Sequence, residues 1–152
     1  MWIRRRRAGA VGQDDLVRRL TTLAEVLDRA ILAQPNAEEV INECCRPGET
    51  PADVARRGGR VISEFAYLHE SVRSLFGPQP GSLPSRIAEL LLWHAETVEE
   101  CLKLAFPRFW NPAAVRHGHT HRGLGEHGRT LRESRVAVQM WIDTLSDVDG
   151  SG

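Results

Sequence analysis

The densest concentration of chemically versatile side chains lies between residues 108 and 135. Four histidines (His117, His119, His121 and His127) share this stretch with six arginines (Arg108, Arg116, Arg122, Arg129, Arg132 and Arg135) and only two acids, Glu126 and Glu133. Imidazole nitrogen is a good ligand for zinc, nickel or copper. The alternating spacing of His117, His119 and His121 would bring two or three rings together in an extended segment, and Cys44 or Cys45 would supply a thiolate from elsewhere. No Cys-x-x-Cys, Glu-x-x-His or His-Glu-x-x-His pattern accompanies them, so a solvated polar loop is the simpler reading and the metal site stays an alternative. The arginines leave a local excess of four positive charges. Any surface of this chain that attracts an anion is built here.

Within that stretch, Arg116-His117-Gly118-His119-Thr120-His121 places a histidine five residues after an arginine, with a polar residue following the arginine. This spacing resembles the motif of HEPN ribonucleases, helical bundles that carry it near the start of their last long helix. The resemblance covers about six residues. It implies that His121 would move a 2′-hydroxyl proton and that Arg116 would stabilise the charged phosphorane. Thr50-Pro51-Ala52-Asp53-Val54-Ala55-Arg56-Arg57-Gly58-Gly59 resembles the first helix and turn of a helix-turn-helix of the lac-repressor kind, with Phe65 and Leu68 as core positions of the second helix. That reading makes residues 51–68 a DNA-binding unit. It departs from the pattern at Arg60, where an apolar residue should follow the turn. The apolar stripe also runs unbroken across Gly58 and Gly59, which one continuous helix explains better.

The elements that must position these residues follow from hydrophobic period. Residues 1–13 are rich in Arg, Gly and Ala without a period and read as a flexible basic arm. A helix starts at Asp14 or Asp15, carries Leu16, Leu20, Leu23, Leu27 and Ile31 on one face, and ends at Pro35. Asn36 and Glu39 form a capping-box pattern for a short helix burying Val40, Ile41 and Cys44. Thr50-Pro51-Ala52-Asp53 starts a third helix, whose stripe of Val54, Val61, Phe65, Leu68, Val72 and Leu75 runs to Phe76. Gly58 fills the missing step and permits a close helix approach. Pro84 and Ser85 open a fourth helix with Ile87, Leu91, His94, Val98, Cys101 and Ala105 on one face. The residues from 107 to 128 read as a Gly/His-rich loop, and the last helix starts near Thr130 with Glu133 completing a capping box. Its apolar face is Leu131, Val138, Trp141, Ile142 and Leu145. His94 reads as a hydrogen-bonded core histidine, His69 and Glu70 as surface residues, and Glu96, Glu99 and Glu100 as a solvated acidic face.

No segment alternates, so the expected fold is all-α: a single-domain helical bundle of four long helices plus one short one. The basic arm would occupy 1–13, the bundle 14–147 and a polar tail 148–152. A chain of 152 residues buries enough surface for a core without disulfides or metal. Its formal net charge of zero excludes a global field directed at nucleic acid. Three cysteines, two of them adjacent, do not form a secreted disulfide framework. The absence of a long apolar run or signal-peptide pattern makes the cytoplasm the default location. No Gly-rich phosphate loop is present, and no cofactor is expected. The expected role is non-catalytic: an interaction module docking a protein or nucleic-acid partner, with no membrane and with a homodimer as one form. Its binding residues would be Arg108, Phe109, Trp110, Arg116, Arg122, Arg129 and Arg132.

Overall fold

The structure, a computed structural model, describes residues 2–107 and 123–150, with side chains described from 12 to 107 and from 123 to 148. Four helices follow one another: α1 (Trp2–Cys45), α2 (Ala52–Phe76), α3 (Leu83–Ala105) and α4 (Gly125–Gly150), and there is no strand among the described residues. Contacts between them fix an up-down-up-down bundle. Arg29 pairs with Glu64 and Arg57 with Glu43, so α2 runs antiparallel to α1. His69 contacts the Ala88 carbonyl and Gly58 lies against Leu102, which sets α3 antiparallel to α2. Gln13 bonds the Leu145 carbonyl and Asp28 holds Arg135, so α4 returns along α1.

The expected stripes fill the core. Leu20, Leu23 and Leu27 from α1, Val54, Phe65 and Leu68 from α2, Ile87, Leu91 and Val98 from α3, and Leu131 and Val138 from α4 are all buried. Trp141, Ile142 and Leu145 pack on that core from the side.

The count of four long helices plus one short helix is corrected to four. Residues 36–45 do not form a separate short helix, because α1 continues through Pro35. A proline inside a helix removes one backbone hydrogen bond and costs about 3 kcal/mol. The burial pattern explains why the helix bears this cost. Leu23, Leu27, Ala30, Gln34, Ala37 and Ile41 are all buried at alternating steps of four and three, in phase on both sides of Pro35, whose own ring is exposed. Breaking the helix would take Ala37, Val40 and Ile41 off the core, and burying aliphatic side chains of that kind is worth more than the lost bond. Asn36 is therefore an exposed residue inside α1 rather than a cap, and Glu39 pairs with Arg57 of α2. The helix also begins at Trp2, upstream of the expected start at Asp14.

α2 runs unbroken through Gly58 and Gly59, so the bent pair required by the helix-turn-helix alternative over residues 51–68 is not formed. Gly58 is buried, and a Cβ there would lie 2.7 Å from a δ-methyl of Leu102. The glycine is what lets α2 and α3 approach. The cap of α2 is Pro51 without a side-chain hydrogen bond, not Thr50. Ser82 caps α3, its hydroxyl accepting from the Ser85 amide at 3.2 Å.

Candidate interaction surface

α4 starts at Gly125, five residues before the expected cap at Thr130, whose hydroxyl instead donates to the Glu126 carbonyl inside the helix. The cap comes from α1: the Leu124 amide donates to Glu38 Oε1 at 3.0 Å. A carboxylate at a helix N-terminus satisfies an orphan N–H and complements the helix dipole. It lies 86 residues away in sequence, beyond the reach of any local pattern.

Just inside this start, a polar network ties three helices together. Gln34 is buried, its amide nitrogen lying 3.0 Å from the Gly128 carbonyl and 3.3 Å from His94 Nε2, while its oxygen accepts from Arg132 at 3.1 Å. His94 Nδ1 donates to the Leu90 carbonyl at 2.6 Å, which leaves Nε2 as the acceptor for Gln34. Both ring nitrogens are engaged, and the residue is fully buried. Burial above all, with smaller contributions from neighbouring His127 and Arg132 and against the hydrogen bond to Leu90, brings the His94 imidazole down to about 4. His94 is thus a neutral core histidine, as the sequence suggested, and has no nitrogen left for acid–base chemistry with a ligand. Its ring lies 4.9 Å from Phe65 and meets Trp93 edge-on at 5.4 Å. Trp93 in turn stacks on His127, with centroids 4.0 Å apart and planes within 9°. His127 is exposed, so this stack carries the network to the surface.

The described arginines of the expected patch are all engaged. Arg129 is 61% exposed and sits between Glu126 at 3.5 Å and Glu133 at 3.7 Å. Arg132 holds Gln34. Arg135 reaches across to Asp28 of α1 at 2.8 Å and also bonds Gln139. The excess positive charge counted within 108–135 is therefore partly cancelled by a carboxylate 107 residues away. Arg108, Phe109, Trp110, Arg116 and Arg122 lie outside the described residues, as do His117, His119 and His121. The ribonuclease pair Arg116 and His121 and the proposed metal ligands consequently have no described geometry. Among the described residues, no three His, Cys, Asp or Glu side chains stand together as a metal site.

No protein-family model matches this chain, and neither the curated proteins nor the solved structures provide a match. The reading of its surface accordingly rests on its own residues.

Two further features escaped the sequence. His69, expected at the surface, is buried, with Nδ1 2.8 Å from the Ala88 carbonyl. It lines a cleft of about 300 Å³ with Arg73, Pro78 and Pro84. The second feature is the outer face of α4. Val136 and Met140, one turn apart, are 60% and 64% exposed. They lie outside the stripe that faces the core, among the exposed charged residues of α4. The signal was present in the sequence as two large apolar residues left over once the inward stripe had been assigned.

Proposed function

We propose that this chain is a helical-bundle interaction module that docks a protein partner through the outer face of α4. The observation that carries the reading is the exposed pair Val136 and Met140 on one ridge of a helix already packed on its other side. Adjacent exposed apolar side chains rimmed by charge mark contact surfaces. Here the rim includes Arg129 and Arg132 toward the start of the helix and Asp143 toward its end. Residues 123–148 hold three arginines and four carboxylates, a mixed-sign surface that suits a protein better than the continuous phosphate charge of a nucleic acid. The firmly held helix start, fixed by Glu38 and Gln34, supports the reading because it presents the ridge on a rigid element. No described helix is long and apolar enough to cross a membrane.

A photo-crosslinking residue at position 140, with a control at exposed position 56 on α2, tests this in the host cell. The expected result is a discrete protein adduct at 140 that is lost on Val136→Glu and absent at 56. An adduct of twice the chain mass identifies the partner as a second copy. Adducts that are the same at both positions, or a nucleic-acid adduct, overturn the reading.

A further inference from the structure

The cleft beside His69 gathers two unlike charges around one buried imidazole. His69 is nine-tenths buried between α2 and α3, and its Nδ1 lies 2.8 Å from the Ala88 carbonyl. A carbonyl only accepts, so Nδ1 carries the hydrogen, and in the neutral ring Nε2 is left as an acceptor. Nε2 has no hydrogen bond to a described residue. Glu70 Oε1 stands 3.9 Å away, too far to make one. Because His69 meets Ala88, Glu89 lies level with it on α3. Arg73, four residues after His69, lies one turn nearer the connection 77–82. Arg73 and Glu89 both line the cleft and both are exposed, and neither side chain has a hydrogen bond or ion pair with a described residue. The floor is apolar, formed by buried Val72, Pro84 and Ala88. The start of α3 has little to offer a ligand here. Its Ser85 and Arg86 amides already bond the Ser82 hydroxyl and carbonyl, and Pro84 has no amide hydrogen. Recognition in this cleft falls to its side chains.

We propose that this cleft binds a free α-amino acid with a small aliphatic side chain. Its carboxylate pairs with Arg73, its ammonium lies between Glu89 and His69 Nε2, and its side chain rests on Val72, Pro84 and Ala88. The argument turns on the two charges. A simple anion would gain Arg73 but meet the like charge of Glu89, and a simple cation would gain Glu89 but meet Arg73. A zwitterion satisfies both at once, and the pair of charges it needs is present and unspent. The guanidinium fork matches a carboxylate with two parallel hydrogen bonds. An ammonium has three donors, of which one reaches the Glu89 carboxylate and one the imidazole. His69 is the fixed member of the set, because its bond to Ala88 and its burial hold the ring in place before a ligand arrives. The cleft measures about 300 Å³, at the lower end of the roughly 300–1,000 Å³ of small-molecule pockets, which favours a ligand of this size over a nucleotide. None of these residues belongs to α4, so the site is independent of the docking face proposed above.

The test titrates the whole ¹⁵N-labelled chain with L-valine and follows the backbone amide shifts. Two relatives serve as probes of each charge: isovalerate, which lacks the ammonium, and isobutylamine, which lacks the carboxylate. L-valine should cause saturable shifts centred on residues 69–73 and 85–89. Each relative should bind about tenfold more weakly, because each loses a charge-assisted hydrogen bond. Arg73→Gln should weaken L-valine by about tenfold and leave isobutylamine unchanged. Glu89→Gln should weaken L-valine to a similar extent and leave isovalerate unchanged. Both substitutions change exposed residues, and circular dichroism checks that the fold is kept. The proposal is overturned by L-valine shifts that do not saturate or that fall outside the cleft. It is equally overturned by isovalerate binding as tightly as L-valine, which would make the cleft a plain anion site, or by variants that weaken all three ligands alike.

Discussion

Replacing Gly58 by alanine should destabilise this protein, although the same change in an ordinary helix interior stabilises it. Alanine gains about 1 kcal/mol over glycine in helix propensity. Against that gain, the new Cβ would lie 2.7 and 2.8 Å from the two δ-carbons of Leu102 and 3.0 Å from its Cγ. Carbon atoms rest about 3.5–4.0 Å apart, so the Leu102 end must move by about 1 Å. Leu102 is only 5% exposed and has little room to do so, and overpacking of this kind costs about 1–3 kcal/mol. The net expectation is a loss of about 1 kcal/mol, or a fall in melting temperature of about 2–4 °C for a chain of this size. The partner experiment is Leu102→Ala, which by itself should cost about 2–5 kcal/mol through the cavity it leaves. In that background Gly58→Ala should become stabilising, because the clash is gone and the propensity gain remains. Urea unfolding followed by circular dichroism on the four variants measures the coupling directly. A single Gly58→Ala variant more stable than wild type, with no coupling to Leu102, would refute the claim that this glycine sets the α2–α3 approach.

Three further outcomes follow from the structure. His94 is neutral and buried with a folded value near 4, whereas the unfolded chain protonates near 6.5, so stability is full above pH 6.5 and falls by about 3 kcal/mol as pH drops to 4; urea midpoints across this range should show the slope, and His94→Leu should remove most of it. Glu38→Ala should cost about 1–2 kcal/mol by removing the cap on Leu124, and amide exchange at the start of α4 should accelerate while the middle of α2 is unchanged. Pro35→Ala should stabilise α1 by about 1–2 kcal/mol, the restored helical bond being offset in part by a freer unfolded chain; a loss on calorimetry would mean that the proline shapes the helix for its neighbours.

The inward-facing stripes of α2 and α3 were readable because both helices show one unbroken apolar face, and a breaker follows each, Gly77-Pro78 after α2 and Pro107 after α3. Val54, Val61, Phe65, Leu68 and Val72 are all buried, as are Ile87, Leu91, His94, Val98 and Cys101. α1 was misread because the local and the tertiary signals disagree there. Pro35 and the Asn36–Glu39 pattern both say stop, while the phase of Leu27, Ala30, Gln34, Ala37 and Ile41 says continue. A local stop signal is worth a few kcal/mol at most, and the apolar surface beyond it is worth more, so the phase decides. The start of α4 was unreadable in principle from nearby residues, since its cap, Glu38, belongs to a different helix.

The same distinction shifts the weight of the functional reading from charge to shape. Counting arginines in a sequence window treats each as available to a partner. In the folded chain Arg135 lies against Asp28 of α1, Arg132 against Gln34, and Arg129 between two glutamates of its own helix. Exposed ion pairs of this kind contribute little stability, but they do lower the net field that an anion would meet. Val136 and Met140 are subject to no such cancellation, because an exposed apolar side chain can be relieved only by burial against something else. Two apolar residues that the core leaves unused on the outside of a capped helix therefore support the proposed docking role more directly than the three described arginines beside them.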